Sequence, residues 1–127
     1  MLKDVSNDYF EKQLIYKVDQ FMVFVWAPWC SNCKTMMPII TELGSEISDN
    51  FQIVKLNGDE NQNFIKKYKV FGLPTTLIFS HGLLIKRKTG MQSKKFLVKQ
   101  IMENKNFSYS KLKKKKLRDF LGGHLKK

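Results

Sequence analysis

Residues 21–38 read FMVFVWAPWCSNCKTMMP. Phe21 to Trp26 is an unbroken apolar run of β-branched and aromatic types, the composition of a strand buried on both faces. Ala27, Pro28 and Trp29 break it. Lys34 to Ile40 then opens a helical pattern, so Cys30 and Cys33 sit where a strand turns into a helix. A helix N-terminus offers unpaired N–H groups and the positive end of the dipole, and both favour a thiolate over a thiol. The spacing of three brings the second sulfur within one turn of the first, so a disulfide can close and reopen.

Three chemistries fit two such cysteines. A structural staple would close only a tiny loop and contribute little. A second is half of a zinc site shared across a dimer, but Zn²⁺ ordinarily takes four ligands. The only histidines, His81 and His124, lie far off in the sequence. The third is a redox-active dithiol, and the strand-to-helix position favours it.

WAPWCSNCK, residues 26–34, resembles the active-site motif of the thioredoxin family, and further pieces of the chain resemble it in order. Pro38 falls five residues after Cys33, where that family kinks the helix that follows. Lys55-Leu56-Asn57 resembles the family's third strand. Gly72-Leu73-Pro74-Thr75 resembles the loop whose proline is cis and faces the redox pair. Gly82 and Gly90 fall where the last hairpin turns and ends. The resemblance implies an α/β protein with the thioredoxin fold, a central mixed sheet flanked by helices on both faces. It implies a thioredoxin domain over residues 1–105, leaving 106–127 as a Lys-rich C-terminal tail.

The resemblance also implies a thiol–disulfide oxidoreductase that reduces protein disulfides through Cys30 and Cys33. Cys30, nearest solvent and the free N–H groups, is then the nucleophile, with a thiol pKa below the ~8.5 of a free cysteine. Cys33 resolves the mixed disulfide. Trp29 is expected as an exposed apolar platform and Trp26 as a side chain packed beneath the loop, with Lys55 and Pro38 supporting. Gly72, Leu73, Pro74, Gly90 and Met91 would complete the substrate-docking surface, the backbone of Leu73 pairing with an extended segment. No metal or bound cofactor is expected. Electrons would come from NADPH through a flavin-containing thioredoxin reductase, and a monomer is expected.

Two departures bear on this. Ser31-Asn32 stands where thioredoxins usually hold Gly-Pro, which alters the relative stability of the two redox states. Ala-Pro-Trp-Cys also resembles the protein disulfide isomerase domains, so a disulfide isomerase or oxidant is an alternative. Phe24 replaces the family's buried acid, leaving Lys55 without its usual partner and Cys33 without an obvious base. That loss keeps open a third reading, a binding module tethered by its basic tail.

The rest of the chain is consistent with one domain of 127 residues, 43% of them apolar, enough to bury a core without staples. No apolar run approaches the ~18 residues of a membrane span. Asp4, Asp8 and Glu11 interrupt the opening residues, which lack the basic-then-apolar order of a secretory signal. A cytoplasmic location is expected, where a catalytic dithiol fits better than a structural disulfide. Leu2 to Val5 reads as an edge strand. Asn7 is the expected N-cap of a first helix, with Asp8 and Glu11 in its first turn and Tyr9, Phe10, Leu14 and Val18 inward. The second helix is expected to run to about Ser48, bent at Pro38.

Phe51 to Asn57 reads as a strand parallel to the central one. Asp59 is the expected cap of a short helix that turns Phe64, Ile65 and Tyr68 inward. Thr75 to Ser80 and Leu83 to Thr89 form a hairpin through His81-Gly82. Ser93 caps a last helix whose Phe96, Leu97 and Ile101 face the sheet. Residues 106–127 hold eight Lys or Arg against one Asp, +7 of the chain's +12. A solvated tail is the plain reading. Contact with an anionic partner, membrane surface or nucleic acid, is the alternative.

Overall fold

The computed structural model describes residues 2–47 and 51–105; the Lys-rich tail lies outside the described residues. Strands β1 (Lys3–Asp4), β2 (Gln20–Trp26), β3 (Gln52–Asn57), β4 (Thr75–Ser80) and β5 (Leu83–Thr89) form one sheet of order β1-β3-β2-β4-β5. β3 runs parallel to both β1 and β2, and β4 runs antiparallel to β2 and β5, so the sheet is mixed. The helices are α1, α2 (Ser31–Glu46), α3 (Gln62–Lys67) and α4 (Lys94–Lys105). Helix α1 has three continuous pieces, Asn7–Tyr9, a π-helical Phe10–Leu14 and Ile15–Lys17, the Ile15 N–H reaching back to the Phe10 carbonyl.

The apolar run of β2 is explained by its two buried faces. Successive strand side chains point to opposite sides. Met22 and Phe24 join Met36, Ile40 and Leu43 of α2 and Leu97 and Ile101 of α4. Phe21, Val23 and Val25 join Phe10 and Leu14 of α1 and Phe64 of α3. On this second face Phe10 packs edge-on against Phe64, Tyr68 and Phe79 with centroids 5.0–5.5 Å apart, and Phe21 stacks on Phe79 at 5.0 Å. Val18, Ile65, Tyr68 and Phe96 are half-buried at the margins of the two clusters.

The local signals are mostly met. Ser93 Oγ accepts the Phe96 N–H at 3.1 Å, and His81 and Gly82 both have positive φ (50° and 82°), as a tight hairpin turn requires. Helix α2 continues through Pro38 and ends at Glu46, because Ile47 is extended. The first cap differs: Ser6 Oγ, not Asn7, accepts the Tyr9 N–H at 3.1 Å. Asn7 N–H instead donates to Asn61 Oδ1 at 2.8 Å, which ties α1 to the start of α3. Lys94 bridges α4 to Glu42 (2.8 Å) and Glu46 (2.9 Å) of α2. Among the described residues no helix is long and apolar enough to cross a membrane.

Candidate active site

The site is built at one end of the sheet. β2 stops at Trp26, and the Ala27 carbonyl accepts the Cys30 N–H at 3.1 Å, a turn that leaves Cys30 as the residue preceding α2. Its backbone is extended (φ −88°, ψ 107°), as N-caps are, and its sulfur takes the capping role: Sγ accepts the Cys33 N–H at 3.2 Å. Cys30 and Cys33 are joined as a disulfide, their Cα atoms 5.2 Å apart. Cys30 is 6% exposed and Cys33 1%, so Cys30 is the more accessible residue although both are largely covered.

The proline loop lies at the same end of the sheet as the pair because β4 runs antiparallel to β2. Val25 is opposite Thr75, and Thr75 is opposite Thr89, so the start of β4 and the ends of β2 and β5 share one edge of the molecule. The Leu73–Pro74 peptide is cis. Thr75 Oγ1 donates to the Gly72 carbonyl at 2.6 Å, and the Gly90 N–H donates to the Pro74 carbonyl at 2.7 Å. These bonds lock the loop to the end of β5. Gly90 has φ 100°, a region that disfavours a side chain. Met91 beside it is exposed.

Trp29 is 68% exposed, and its indole N–H donates to both oxygens of Asp59 at 2.9 and 3.1 Å. Asp59 therefore does not cap α3, as its position in the chain suggests. The N-cap residue there is Asn61, whose side chain makes no capping bond. The turn after β3 decides this: Gly58 N–H donates to the Trp26 carbonyl at 2.7 Å and Asp59 N–H to Asn57 Oδ1 at 2.9 Å, which leaves the carboxylate beside Trp29.

Beneath the loop Trp26 is half-buried. Its indole N–H donates to Asp4 Oδ1 at 3.3 Å, and the Lys55 ammonium lies 5.3 Å from its ring centroid. Phe24, fully buried, is in register with Lys55. A largely apolar groove of about 670 Å³ is lined by Trp26, Ala27, Cys33, Met37 and Pro38, among others. It opens on the Cys33 side and Cys30 does not line it, so it is not where a disulfide would meet the first sulfur.

The structure thus gathers Trp29, Cys30, Cys33, Gly72, Leu73, Pro74, Gly90 and Met91 at one end of the sheet, with Trp26, Lys55 and Pro38 behind them. Three neighbours were not legible as such. Asp59 anchors Trp29 and Asp4 anchors Trp26. Phe71 is 87% exposed immediately before Gly72, where an aromatic beside a Gly-x-Pro loop was the available signal. Among the described residues no group of three or more His, Cys, Asp or Glu could hold a metal ion. The arrangement itself offers sulfur chemistry: a capped sulfur at a helix start and a second sulfur one turn on, joined to it as a disulfide.

Comparison with known proteins bears on the family and the fold. The sequence model of the Thioredoxin family matches residues 1–103. The chain is 39% identical over 90 residues to thioredoxin of Acidithiobacillus ferridurans, covering 71% of this chain and 83% of that one. It is 31% identical over 104 residues to thioredoxin of Rickettsia bellii, covering 82% and 99%. Among solved structures, a mutant thioredoxin of Halobacterium salinarum superposes with a TM-score of 0.76 at 23% identity, over 84% of this chain and 92% of that one. Oxidised mitochondrial thioredoxin 3 of Saccharomyces cerevisiae does so at 0.72 and 27%, over 80% and 94%. The chain belongs to the thioredoxin family and is a thiol–disulfide oxidoreductase with Cys30 and Cys33 as its redox-active pair.

Proposed function

We propose that Cys30 is the attacking thiol and Cys33 the resolving thiol in the reduction of protein disulfides. The observation that carries this assignment is the Cys33 N–H directed at Cys30 Sγ across 3.2 Å at the start of α2. A thiolate on Cys30 is stabilised by that bond and by the helix dipole. In the reduced protein it attacks one sulfur of the substrate disulfide. The substrate S–S bond breaks, a mixed disulfide forms, and one substrate thiolate leaves. The Cys33 thiolate then attacks Cys30 Sγ, the second substrate thiolate leaves, and the Cys30–Cys33 disulfide returns. The substrate has gained two electrons and the pair has lost two.

In this reading Trp29, Gly72, Leu73, Pro74, Gly90 and Met91 form the docking rim, with the Leu73 backbone offered to an extended substrate segment. Trp26, Lys55 and Pro38 support the pair from behind. NADPH resets the oxidised pair through a thioredoxin reductase, without a cofactor on this chain. The protein acts as a cytoplasmic monomer, with residues 1–105 as the working domain and 106–127 as an appended tail.

The test is the equilibrium potential of the Cys30–Cys33 pair in glutathione or dithiothreitol buffers, followed by Trp29 fluorescence. A value near the ~−270 mV of thioredoxin is expected for a reductant. A value tens of millivolts higher would favour an isomerase or oxidant, the direction in which Ser31-Asn32 leaves room. Failure to form the disulfide would leave a scaffold.

A further inference from the structure

The charge of this chain is divided along its sheet. Residues 61–102 hold nine Lys or Arg and no Asp or Glu, whereas residues 1–60 hold five against nine. The acid-free stretch supplies α3, the proline loop, β4, β5 and most of α4, hence the β4–β5 half of the sheet. The stretch that supplies β1, β2 and β3 carries the acids, with Asp4 on β1 and Asp59 and Glu60 just after β3. The redox pair lies between the two halves, so one flank of its rim is cationic and the other, at Asp59 and Glu60, is anionic.

Three cations stand closest to the docking loop in the chain and in register. Lys69, in the left-handed region at φ 54°, is two residues before Phe71. Arg87 donates to the Tyr68 carbonyl at 3.4 Å on the face of α1 and α3, whereas Lys88, opposite Thr76, points to the other face, its ammonium 5.7 Å from the Phe96 ring. Both precede Gly90, whose N–H is bonded to the Pro74 carbonyl. All three are exposed, and among the described residues no ion pair engages them. By contrast Lys67 and Lys94 do find carboxylates, on α1 and α2. Ordinary solvated faces intersperse both signs, and this one does not. Beside it stand Phe71, 87% exposed, and Met91, 43% exposed.

We propose that this flank selects its substrates: proteins whose target disulfide is bordered by carboxylates and an apolar side chain. The carboxylates lie against Lys69 and Arg87, which share one face at Tyr68, and the apolar group lies on Phe71. The proposal rests on the reading that the Gly72–Pro74 rim docks the substrate. Continuity with that rim, through the Gly90–Pro74 hydrogen bond, favours a protein substrate over a nucleic acid as the anionic partner. The attraction acts mainly on the rate of encounter and is weakened by salt.

The full-length, pre-reduced protein is mixed in single turnover with two synthetic peptides, each closed by one disulfide and differing only in Glu or Lys flanks. Oxidised 2-mercaptoethanol, a neutral disulfide, is read alongside. At about 20 mM salt the Glu-flanked peptide is expected to react about tenfold faster, and at about 500 mM the difference should nearly vanish. The double variant Lys69→Glu/Arg87→Glu should reverse the preference, and Lys88→Glu, on the other face, should leave it nearly unchanged. Turnover of the neutral disulfide with equal rates on both peptides would overturn the proposal alone. Equal peptide rates with tight binding of a short oligothymidylate would overturn it in favour of a nucleic-acid surface. No reaction with any of the three disulfides would overturn the reductase reading together with it.

Discussion

Phe24 and Lys55 lie directly opposite each other on β2 and β3, and the lysine ammonium rests over Trp26. With phenylalanine at position 24, no carboxylate occupies the β2 side of that pair. Cys33, packed in the same cluster as Phe24, must lose its proton without such a base. Phe24→Asp is therefore expected to speed resolution of the mixed disulfide severalfold, as a positioned carboxylate accepts the Cys33 proton. It should also cost about 3–5 kcal/mol of stability, since a fully buried ring is removed and a charge is buried in its place. Stopped-flow reduction of a protein disulfide and urea unfolding measure the two effects. An unchanged or slower rate would show that water or Lys55 already serves.

Asp59 holds Trp29 by two hydrogen bonds from one indole N–H, and Trp29 is otherwise largely in solvent. A bond to a charged acceptor contributes about 1.5–3 kcal/mol, less where water competes as it does here. Asp59→Ala is expected to free the indole, seen as lower fluorescence anisotropy, and to slow reduction of protein disulfides a few-fold. Asp59→Asn keeps one acceptor oxygen and should restore most of both. A free indole with undiminished rates would mean that the platform needs no anchoring.

Much of this was readable in the chain because local and tertiary demands coincide there. FMVFVW is apolar without alternation, and β2 is a strand packed on both faces. His81-Gly82 supplies the two positive φ values its turn needs. The misread positions are those where two neighbouring residues offer the same chemistry and a distant contact chooses between them. Ser6 and Asn7 are both good caps; Asn61, remote in sequence, engages the Asn7 N–H and leaves the cap to Ser6. Asp59 could cap a helix or accept an indole N–H, and the turn after β3 selects the indole. Phe71 was opaque for another reason, since hydrophobicity alone argues for burial and this ring is exposed.

The order of the two thiols can be separated by single substitutions. Cys33→Ser leaves the capped Cys30 sulfur in place and removes the resolving group, so a covalent adduct with the substrate should accumulate, visible as added mass that dithiothreitol removes. Cys30→Ser should form no such adduct and lose essentially all turnover. Adducts on Cys33 in that second variant would reverse the assignment, although Cys33 is the less accessible of the two.

The aromatic cluster under α1 and α3 predicts how the protein responds to alkali. Burial among Phe10, Phe64 and Phe79 raises the Tyr68 pKa above its ordinary value of 10.0, with the Lys67 charge opposing. The Lys67 pKa is raised above 10.5 as well, first by its hydrogen bond with Glu11 and then by the charge of Tyr68. For both groups the folded pKa exceeds the unfolded one. Their contribution is complete below the unfolded values and is lost as pH rises through the folded ones, because the unfolded chain deprotonates first. Stability should therefore hold from neutral to about pH 10 and fall beyond it. Lys67 is in solvent, so its share is small and shrinks with salt. Tyr68→Phe keeps the ring and removes the phenol; its urea midpoint at pH 7 should stay close to the parent's, while its decline between about pH 10 and 11 becomes shallower. An equally steep decline would place the alkaline sensitivity elsewhere in the molecule.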